Sequence, residues 1–340
     1  MTGTESRLRL GVVGYGYWGP NLLRNFAETP GVEVVWCSDV REERRELVGR
    51  RYPAVRATAR VADLFEDSGL DAVAIATPVH THHRLAKQAL EAGKHVLVEK
   101  PMAATVAEAE ELVALADRLG LVLMVDHTFV YTGAVQKMKE LLVSGELGDL
   151  YYFDSVRVNL GLFQHDIDVL WDLAPHDLSI LTDLVEKPPR FVSAHAVDHT
   201  GSGLADMAYM TVHYDDAFLA HFHVNWLSPV KVRRILVGGS RRMVLFDDME
   251  PSEKIRVYDR GVTVGSKEGI YKTLVDYRTG DMWAPRIELK EALARECEHF
   301  VECVRLRKAP RSGGEAGLAV VRLLDAASRS MAVDGRRVPV

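Results

Sequence analysis

Three side chains in this sequence are suited to moving a proton to or from a hydroxyl group. Lys100 lies just after an apolar run that ends at Val98, and an amine at the end of a buried strand can exchange a proton with a bound alcohol. Asp172 and His176 are four residues apart, so they share one face if their segment is helical. An amine, a carboxylate and an imidazole acting on one hydroxyl provide general acid–base chemistry.

Each of these assignments has a simpler alternative. Lysines are mostly exposed, so Lys100 is equally compatible with a loop at the surface. Asp172 is compatible with a role as a helix cap, and His176 with a buried imidazole whose hydrogen bonds are satisfied. Pro175 lies between them, removes a backbone donor and can kink a helix. These residues alone leave both interpretations open.

A cluster of histidines, His80, His82 and His83, invites a metal interpretation. The spacing matches no zinc motif, and no cysteine or acid lies close by in the sequence. We therefore predict no metal site, and expect these histidines to cap a helix or contact a nucleotide.

The segment Gly14–Gly19 reads Gly-Tyr-Gly-Tyr-Trp-Gly and lies between an apolar run and a helical pattern. In a strand–turn–helix unit, Gly14 would allow the tight turn and Gly16 would let a pyrophosphate approach the backbone. Gly19 would allow helix and strand to pack closely. Asp39 follows about 20 residues after Gly19, at the end of a second apolar run, where an acid binds the adenosine ribose. The pattern predicts a dinucleotide site.

The residues after the second apolar run bear on the choice of cofactor. The carboxylate of Asp39 suits a free ribose 2′-hydroxyl and repels a 2′-phosphate, which favours NAD. Ser38 and Arg41 could instead accommodate that phosphate, so NADP is the alternative.

The first third of the chain alternates short apolar runs with amphipathic helical stretches, as in a doubly wound parallel sheet. We predict an α/β Rossmann domain over residues 1–126. Open α/β sheets bind ligands at the carboxyl ends of their strands. Beyond the glycine turn, two further strand ends carry suggestive residues, Thr77-Pro78 and Glu99-Lys100-Pro101.

After Gly148 the pattern changes to a series of strands, followed by two closing helices. This predicts an α+β domain with an open, mostly antiparallel sheet over residues 127–340, whose last helices pack back toward the first domain. Strands such as Phe218–Val224 alternate apolar and polar residues imperfectly, so one face should stay available to a second subunit. We expect a homodimer or homotetramer formed through that face.

Composition excludes several classes of protein. The 340-residue chain has a formal net charge of −6, which gives no electrostatic case for binding nucleic acid or an anionic membrane. No apolar run is long enough to span a bilayer. The three cysteines are scattered, so we expect no disulfide framework and a cytoplasmic location.

The sequence resembles the glucose–fructose oxidoreductase / inositol dehydrogenase / MocA (Gfo/Idh/MocA) family of oxidoreductases. The resemblance is carried by Gly14–Gly19, Ala76-Thr77-Pro78 with His82, Ala92–Met102, Ser144–Gly148 and the Asp172/His176 pair, and it extends over essentially the whole chain. It implies a Rossmann domain, an open-sheet domain, tightly bound NAD(H) or NADP(H), and often a cis Lys100–Pro101 bond.

The resemblance also implies roles for individual residues. Lys100 would be catalytic or would orient the substrate, and Asp172 and His176 would complete the catalytic set. The family's usual glycine two residues after the aspartate is absent, because the sequence reads Asp172-Leu173-Ala174-Pro175-His176. The cofactor-binding residues would be Gly14, Gly16, Tyr17, Trp18, Gly19, Ser38, Asp39, Arg41, Ala76, Thr77, Pro78, His82, Glu99 and Lys100.

The function that we predict is hydride transfer between NAD(P) and a secondary alcohol or ketone of a sugar, nucleotide sugar or cyclic polyol. The alternatives are lyase or hydrolase chemistry with a transient hydride step, and a non-redox protein that only binds the dinucleotide. Within the family the chain looks most similar to UDP-N-acetylglucosamine 3-dehydrogenases and sugar 3-ketoreductases. Arg157, Asn159 and Gln164 are predicted substrate contacts by their location.

Overall fold

The computed structural model describes residues 7–161, 163–164, 166–264 and 275–340. They form two compact units. The first unit contains the chain up to Tyr131 together with Lys290–Arg322, and the second contains Thr132–Leu289 together with Leu323–Val340. The sequence analysis places a single domain boundary after residue 126, and that boundary stays a prediction.

The first unit contains a six-stranded parallel sheet in the order β3-β2-β1-β4-β5-β6. This is the doubly wound order. The chain first adds β2 and β3 on one side of β1, and then crosses over to add β4, β5 and β6 on the other side. Its strands are β1 (Leu8–Val13), β2 (Val32–Ser38), β3 (Arg56–Thr58), β4 (Ala72–Ile75), β5 (His95–Glu99) and β6 (Leu123–Asp126). The prediction of a Rossmann-type sheet is confirmed.

The second unit contains a nine-stranded mixed sheet in the order β16-β13-β12-β11-β7-β10-β9-β8-β17. Its neighbouring strands are antiparallel except β7 and β10, which are parallel. A separate pair is formed by β14 and β15. The strands are β7 (Leu150–Leu160), β8 (Phe191–Val197), β9 (Met207–His213), β10 (Leu219–Asn225), β11 (Leu227–Gly239), β12 (Met243–Asp247), β13 (Ile255–Tyr258), β14 (Gly261–Val264), β15 (Val275–Arg278), β16 (Met282–Trp283) and β17 (Val338–Pro339).

Helices connect and cover the strands of each unit. The helix that starts at Val106 shows how the local sequence sets the ends, because the Thr105 hydroxyl accepts a hydrogen bond from Glu108 N at 3.2 Å and Gly120 ends the helix with φ +65°. The helices are α1 (Gly19–Glu28), α2 (Glu42–Arg51), α3 (Ala62–Glu66), α4 (His82–Glu91), α5 (Val106–Leu119), α6 (Gly133–Val143), α7 (Val169–Leu184), α8 (Ala292–Leu306) and α9 (Gly314–Met331).

The core of the first unit lies between the parallel sheet and its helices. Phe26 of α1 meets Phe300 of α8 edge to face, with ring centroids 6.0 Å apart, and both rings are fully buried. Burial of each such side chain contributes about 1.5–3 kcal/mol to folding. The helix α8 is therefore part of the first unit, although it is separated in sequence from the six strands of the parallel sheet.

The sheet of the second unit has one covered and one open face. Phe153 of β7 and Phe222 of β10 are buried on the face that carries α7. The opposite face presents a mixture of aromatic, histidine and acidic side chains, namely Tyr152, Asp154, Tyr209, Leu219, His221 and His223. The open face is therefore more polar than the imperfect alternation in the sequence suggests.

The proline of α7 does not end the helix. One helix runs through Pro175, from Val169 to Leu184. More than half of this helix is buried, and burial outweighs the roughly 3 kcal/mol that an interior proline costs.

No helix within the described ranges has the length and hydropathy that a membrane span requires.

Candidate active site

The glycine turn after β1 is built so that side chains would not fit. Gly14 has φ +92°, and a Cβ there would lie 2.4 Å from the carbonyl oxygen of Ala76. A Cβ on Gly19 would lie 2.0 Å from the Gly14 oxygen, whereas the nearest atom to one on Gly16 would be 3.4 Å away. The turn is thus closed at Gly14 and Gly19 and open at Gly16, the geometry that a dinucleotide pyrophosphate requires.

Asp39 lies at the end of β2 and is buried. Its carboxylate accepts hydrogen bonds from Tyr15 N at 2.8 Å, Arg41 N at 2.9 Å and two guanidinium nitrogens of Arg41 at 3.0 Å each. Burial acts to raise the pKa of Asp39, but these donors outweigh it and hold the pKa below its ordinary value. Asp39 is thus an ionised acceptor beside the glycine turn, and Arg41 covers it.

His82, at the start of α4, connects the ends of β4 and β5. Its Nε2 lies 2.7 Å from Thr77 O and its Nδ1 lies 2.9 Å from Pro101 O. Burial lowers the pKa of this imidazole, against the effect of the two carbonyl groups. Because both ring nitrogens contact the backbone, His82 holds the two loops together rather than presenting a nitrogen to a ligand.

The predicted catalytic lysine lies directly after β5. Lys100 is half-buried, and its peptide bond to Pro101 is cis. Ala76 and Thr77 follow β4, the next strand in the sheet. Lys100 and the glycine turn therefore both lie at the carboxyl edge of this sheet, where open α/β folds bind their ligands.

A further group at the same edge was not anticipated. Asp126 ends β6, opposite Glu99 in the strand register, and its carboxylate accepts a hydrogen bond from Trp18 Nε1 at 2.5 Å. Glu296 of α8 faces Asp126 and is completely buried. His127 follows Asp126 and is also buried, which lowers its pKa to about 4. Applying the strand-end rule to β6 would have identified Asp126 and His127, but no local signal marks Glu296.

In the second unit, α7 carries the predicted Asp172 and His176. Asp168 caps the helix, with its carboxylate accepting from Trp171 N at 3.0 Å. One oxygen of Asp172 accepts a hydrogen bond from Trp226 Nε1 at 3.2 Å. Because the helix is continuous, Asp172 and His176 lie one turn apart on the same face, as predicted.

The side chain of Arg157, a predicted substrate contact, is engaged in a buried ion pair. It forms a two-pronged ion pair with Asp177, with nitrogen–oxygen distances of 2.9 and 2.7 Å, and the two side chains are only 4% and 3% exposed. The pair ties α7 to β7 next to His176, so we remove Arg157 from the candidate substrate contacts. Asn159 is half-buried and Gln164 is exposed, so both stay candidates.

The remaining predicted residues have simpler surroundings. Tyr17 is 84% exposed beside the glycine turn. Ser38 is buried, and its carbonyl oxygen accepts a hydrogen bond from Gly14 N at 2.7 Å.

In the part of the chain that the structure describes, no three His, Cys, Asp or Glu side chains are arranged to hold a metal ion.

Comparison with known proteins identifies the family. The family model "Oxidoreductase family, NAD-binding Rossmann fold" matches residues 8–127, and the GFO/IDH/MocA C-terminal domain matches residues 135–245. The oxidoreductase YdgJ of Escherichia coli, whose function is uncharacterised, is 32% identical over 263 residues, which are 74% of each chain. The chain belongs to the GFO/IDH/MocA family. It is an NAD-binding oxidoreductase, and the glycine turn and Asp39 fit that cofactor.

Characterised GFO/IDH/MocA members are also similar over most of the chain. UDP-N-acetylglucosamine 3-dehydrogenase of Acidithiobacillus ferrooxidans is 27% identical, covering 92% of this chain and 94% of the relative. Its crystal structure superimposes with a TM-score of 0.82 at 26% identity, covering 97% and 99% of the two chains. The NAD-dependent scyllo-inositol 2-dehydrogenase of Bacillus subtilis is 24% identical, covering 90% and 89%.

Proposed function

We propose that this oxidoreductase transfers hydride between NAD and a secondary hydroxyl or keto group of a sugar, nucleotide sugar or cyclic polyol. The observation that carries the proposal is the half-buried Lys100 at the carboxyl end of β5, on the same sheet edge as the glycine turn. Similarity to dehydrogenases of UDP-N-acetylglucosamine and scyllo-inositol supports this substrate class. When bound, NAD supplies the hydride acceptor, and NADH the donor.

The protein side chains would supply binding, orientation and proton transfer. Lys100 would stabilise the charge that develops on the carbonyl oxygen, an effect of a few kcal/mol for a positioned donor. His176 or Lys100 would take the hydroxyl proton during oxidation and return it during reduction. Asp172, held by Trp226, would orient the substrate and increase the basicity of its neighbour.

We propose that the cofactor contacts include the glycine turn, Asp39 and the loops after β4 and β5. Gly14, Gly16 and Gly19 would admit the pyrophosphate, and Asp39 would accept hydrogen bonds from the adenosine ribose. The other candidates are Tyr17, Trp18, Ser38, Ala76, Thr77, Pro78 and Glu99. His82 would act indirectly, by holding two of these loops.

Arg41 bears on the choice between NAD and NADP. Its guanidinium is paired with Asp39, and the nitrogen of that group lies 3.4 Å from where a Gly16 Cβ would be. NADP binding would require Arg41 to leave Asp39 for the 2′-phosphate, so we favour NAD as the working cofactor. Dissociation constants of NAD and NADP, measured for the wild type and Arg41→Ala, compare the two directly.

The decisive experiment follows dihydronicotinamide absorbance after NAD or NADP is mixed with the protein and a panel of sugars, nucleotide sugars and polyols. Lys100→Ala should reduce turnover at least 100-fold while sparing cofactor binding, since it removes a positioned donor. Lys87→Ala is the matched control, because Lys87 is a lysine of the same unit paired with Glu111 on the surface. Unchanged turnover in Lys100→Ala would refute the assignment.

The same panel distinguishes the alternative functions. A signal with one cofactor and one substrate group, lost in Lys100→Ala, would establish the redox function and its direction. A product formed without net absorbance change would instead indicate transient-hydride lyase or hydrolase chemistry. Nucleotide binding with neither signal nor product would favour a non-redox binding protein.

We propose that the chain forms a homodimer or homotetramer through the open face of its large sheet. Tyr152, Tyr209 and Leu219 are each 37–41% exposed on this face, and the ring of Tyr209 stacks on His223 at 4.4 Å. An exposed aromatic and aliphatic surface of this kind is typical of subunit contacts. Light scattering should give a mass above one chain, and Tyr209→Glu should lower it. A single-chain mass at all concentrations would exclude the proposal.

We also propose that the protein works in a reducing cytoplasm. Cys37, Cys297 and Cys303 are buried thiols that form no disulfide with one another. Fractionation of cells with an antibody to the protein would test this location.

A further inference from the structure

Two buried acids of the first unit face each other without a cation. Asp126, at the end of β6, is 2% exposed, and Glu296 of α8 is 0% exposed. Among the residues that the structure describes, neither carboxyl group takes part in a salt bridge. Two ionised carboxylates in such a place would repel each other strongly, so the pair needs another way to balance its charge.

The hydrogen bonds around the pair are unequal. Asp126 accepts from Trp18 Nε1 at 2.5 Å and from the Thr128 hydroxyl at 2.6 Å. Both carboxyl oxygens of Glu296 are buried without a hydrogen-bond partner in the described part of the chain. The nearby Thr128 hydroxyl is close enough to oppose the rise in the pKa of Glu296, but its hydrogen bond at 2.6 Å goes to Asp126. A carboxyl that receives no donor but faces a carboxylate is satisfied if it carries a proton and donates it.

Burial and the neighbouring acids favour the neutral form of Glu296. Burial first, and then the negative charge of Asp126 and a hydrogen bond to it, raise the pKa of Glu296 well above its ordinary value, and the smaller effect of the Thr128 hydroxyl in the opposite direction does not cancel them. Glu99 of β5 acts in the same direction. Tyr131 and Cys297, whose own pKa values are raised first of all by burial, stay neutral beside it.

Asp126 connects this pair to the glycine turn. Trp18 is the last residue before α1, and its indole N–H is directed to Asp126 rather than to solvent. The next residue, Gly19, lies against the carbonyl of Gly14. A contact that fixes the Trp18 indole therefore fixes the segment through which the chain would hold the cofactor pyrophosphate.

We propose that Glu296 is a positioning residue that carries a proton and donates it to Asp126, so that Asp126 can hold Trp18 and the glycine turn in the form that binds the dinucleotide. The proposal rests on cofactor binding by this unit, and it is independent of which substrate the enzyme takes. Glu296 acts through Asp126 and need not touch the cofactor.

The first test is the pH dependence of unfolding without cofactor. A buried acid with a raised pKa holds a proton that the unfolded chain loses above about pH 4.3, so its contribution to stability falls as pH rises from there to the folded-state value. Glu296→Gln keeps a neutral donor and should make the fall in stability with pH shallower, by the equivalent of up to one bound proton. Glu291→Gln is the matched control, since that acid immediately precedes the same helix and is paired with Arg24.

The second test is cofactor affinity, measured by quenching of tryptophan fluorescence during titration with NAD. Glu296→Gln should bind within about threefold of the wild type at pH 7, whereas Glu296→Met should bind about 10- to 100-fold more weakly, the loss of one hydrogen bond to a charged group. Trp18→Phe removes the same chain of contacts, so the double variant should lose less than the sum of the two effects.

The outcomes separate this proposal from the catalytic one. An unchanged pH slope in Glu296→Gln, or an equal change in Glu291→Gln, would overturn the protonated pair. Equal NAD affinity for Glu296→Gln and Glu296→Met would overturn the link to the glycine turn. If Glu296→Met does not fold, the pH slope of Glu296→Gln still decides. None of these measurements depends on turnover, so failure of the proposed reaction would leave them intact.

Discussion

Each unit of this protein fixes a carboxylate with an indole, and each has a second buried acid nearby. In the first unit Trp18 donates to Asp126, which faces Glu296. In the second unit Trp226 donates to Asp172 on α7, and Asp177 of the same helix pairs with a buried arginine. The second acid is thus neutralised by a proton in one unit and by a cation in the other.

The two ways of neutralising the second acid predict different responses to pH and to substitution. The Arg157–Asp177 pair contains a permanent cation, since a guanidinium is effectively always protonated in proteins, and it needs no shared proton to balance its charge. A carboxyl pair that shares one proton is sensitive to pH, but it can be replaced by a neutral amide of the same shape. The two arrangements answer the same problem, since an unpaired buried charge is too costly to keep.

The largest effect should come from breaking the ion pair. Arg157→Met leaves Asp177 buried without a cation, which should lower the free energy of unfolding by about 3–5 kcal/mol in a urea titration. The double variant Arg157→Met/Asp177→Leu should recover much of this loss, because the uncompensated charge is gone.

The matched control is Arg190→Met, which breaks an exposed ion pair with Asp215 and should cost less than about 1 kcal/mol. If Arg157→Met costs no more than this control, the buried pair does not hold α7 in place.

A smaller effect should come from removing the indole donor of the second unit. Trp226→Phe keeps an aromatic ring but removes the indole N–H, so the 3.2 Å hydrogen bond to Asp172 is lost. We expect kcat/KM to fall about tenfold and the pH–rate profile to move, since one donor to a charged group is worth at least 1.4 kcal/mol. Trp171→Phe, which loses only a bond to Ser328, should stay within about twofold of the wild type. Equal effects of the two variants would remove the special role of Trp226.

The smallest effect should come from Asp39, which is buried but paired with a half-exposed arginine. Its pKa is lowered, so its contribution to stability is present above the unfolded value near 3.9 and is lost as pH falls through the folded value. Asp39→Asn should therefore cost about 1 kcal/mol or less at pH 7 and nothing in strong acid, measured by thermal unfolding.

Glu33→Gln on the same strand is the control, since Glu33 is exposed. A loss for Asp39→Asn that persists in strong acid would contradict the ion-pair explanation. The pH trend of Asp39 is opposite in sign to that of Glu296, so the two acids provide a comparison within one unit.

Local sequence was sufficient for much of the first unit. The apolar runs and the glycines between Gly14 and Gly19 predict strand, turn and helix directly, because backbone geometry and hydrophobic periodicity act over a few residues. The start of α4 at His82 is not marked in the sequence, because the histidines and Arg84 in its first turn carry no apolar periodicity. The sequence analysis did not predict helix α6. Burial of residues such as Met138 stabilises this helix.

Long-range packing decided what the sequence could not. Arg157 looked like a substrate contact because it lies on the way to Asp172, and only the fold brings Asp177 to its guanidinium. His82 looked like a ligand contact, and only the closeness of the loops after β4 and β5 shows that both ring nitrogens meet backbone carbonyls.

The sequence by itself determined the dinucleotide turn, the acid after β2 and the lysine after β5, since each depends on residues close together in the chain. The tertiary structure alone decided which acids are buried together. Glu296 lies in the charged stretch Arg295–Glu298, a composition typical of an exposed helix segment, and it is buried only because α8 packs against α1 and the residues that follow β6. Burial is a property of the folded surface, so no local pattern reports it.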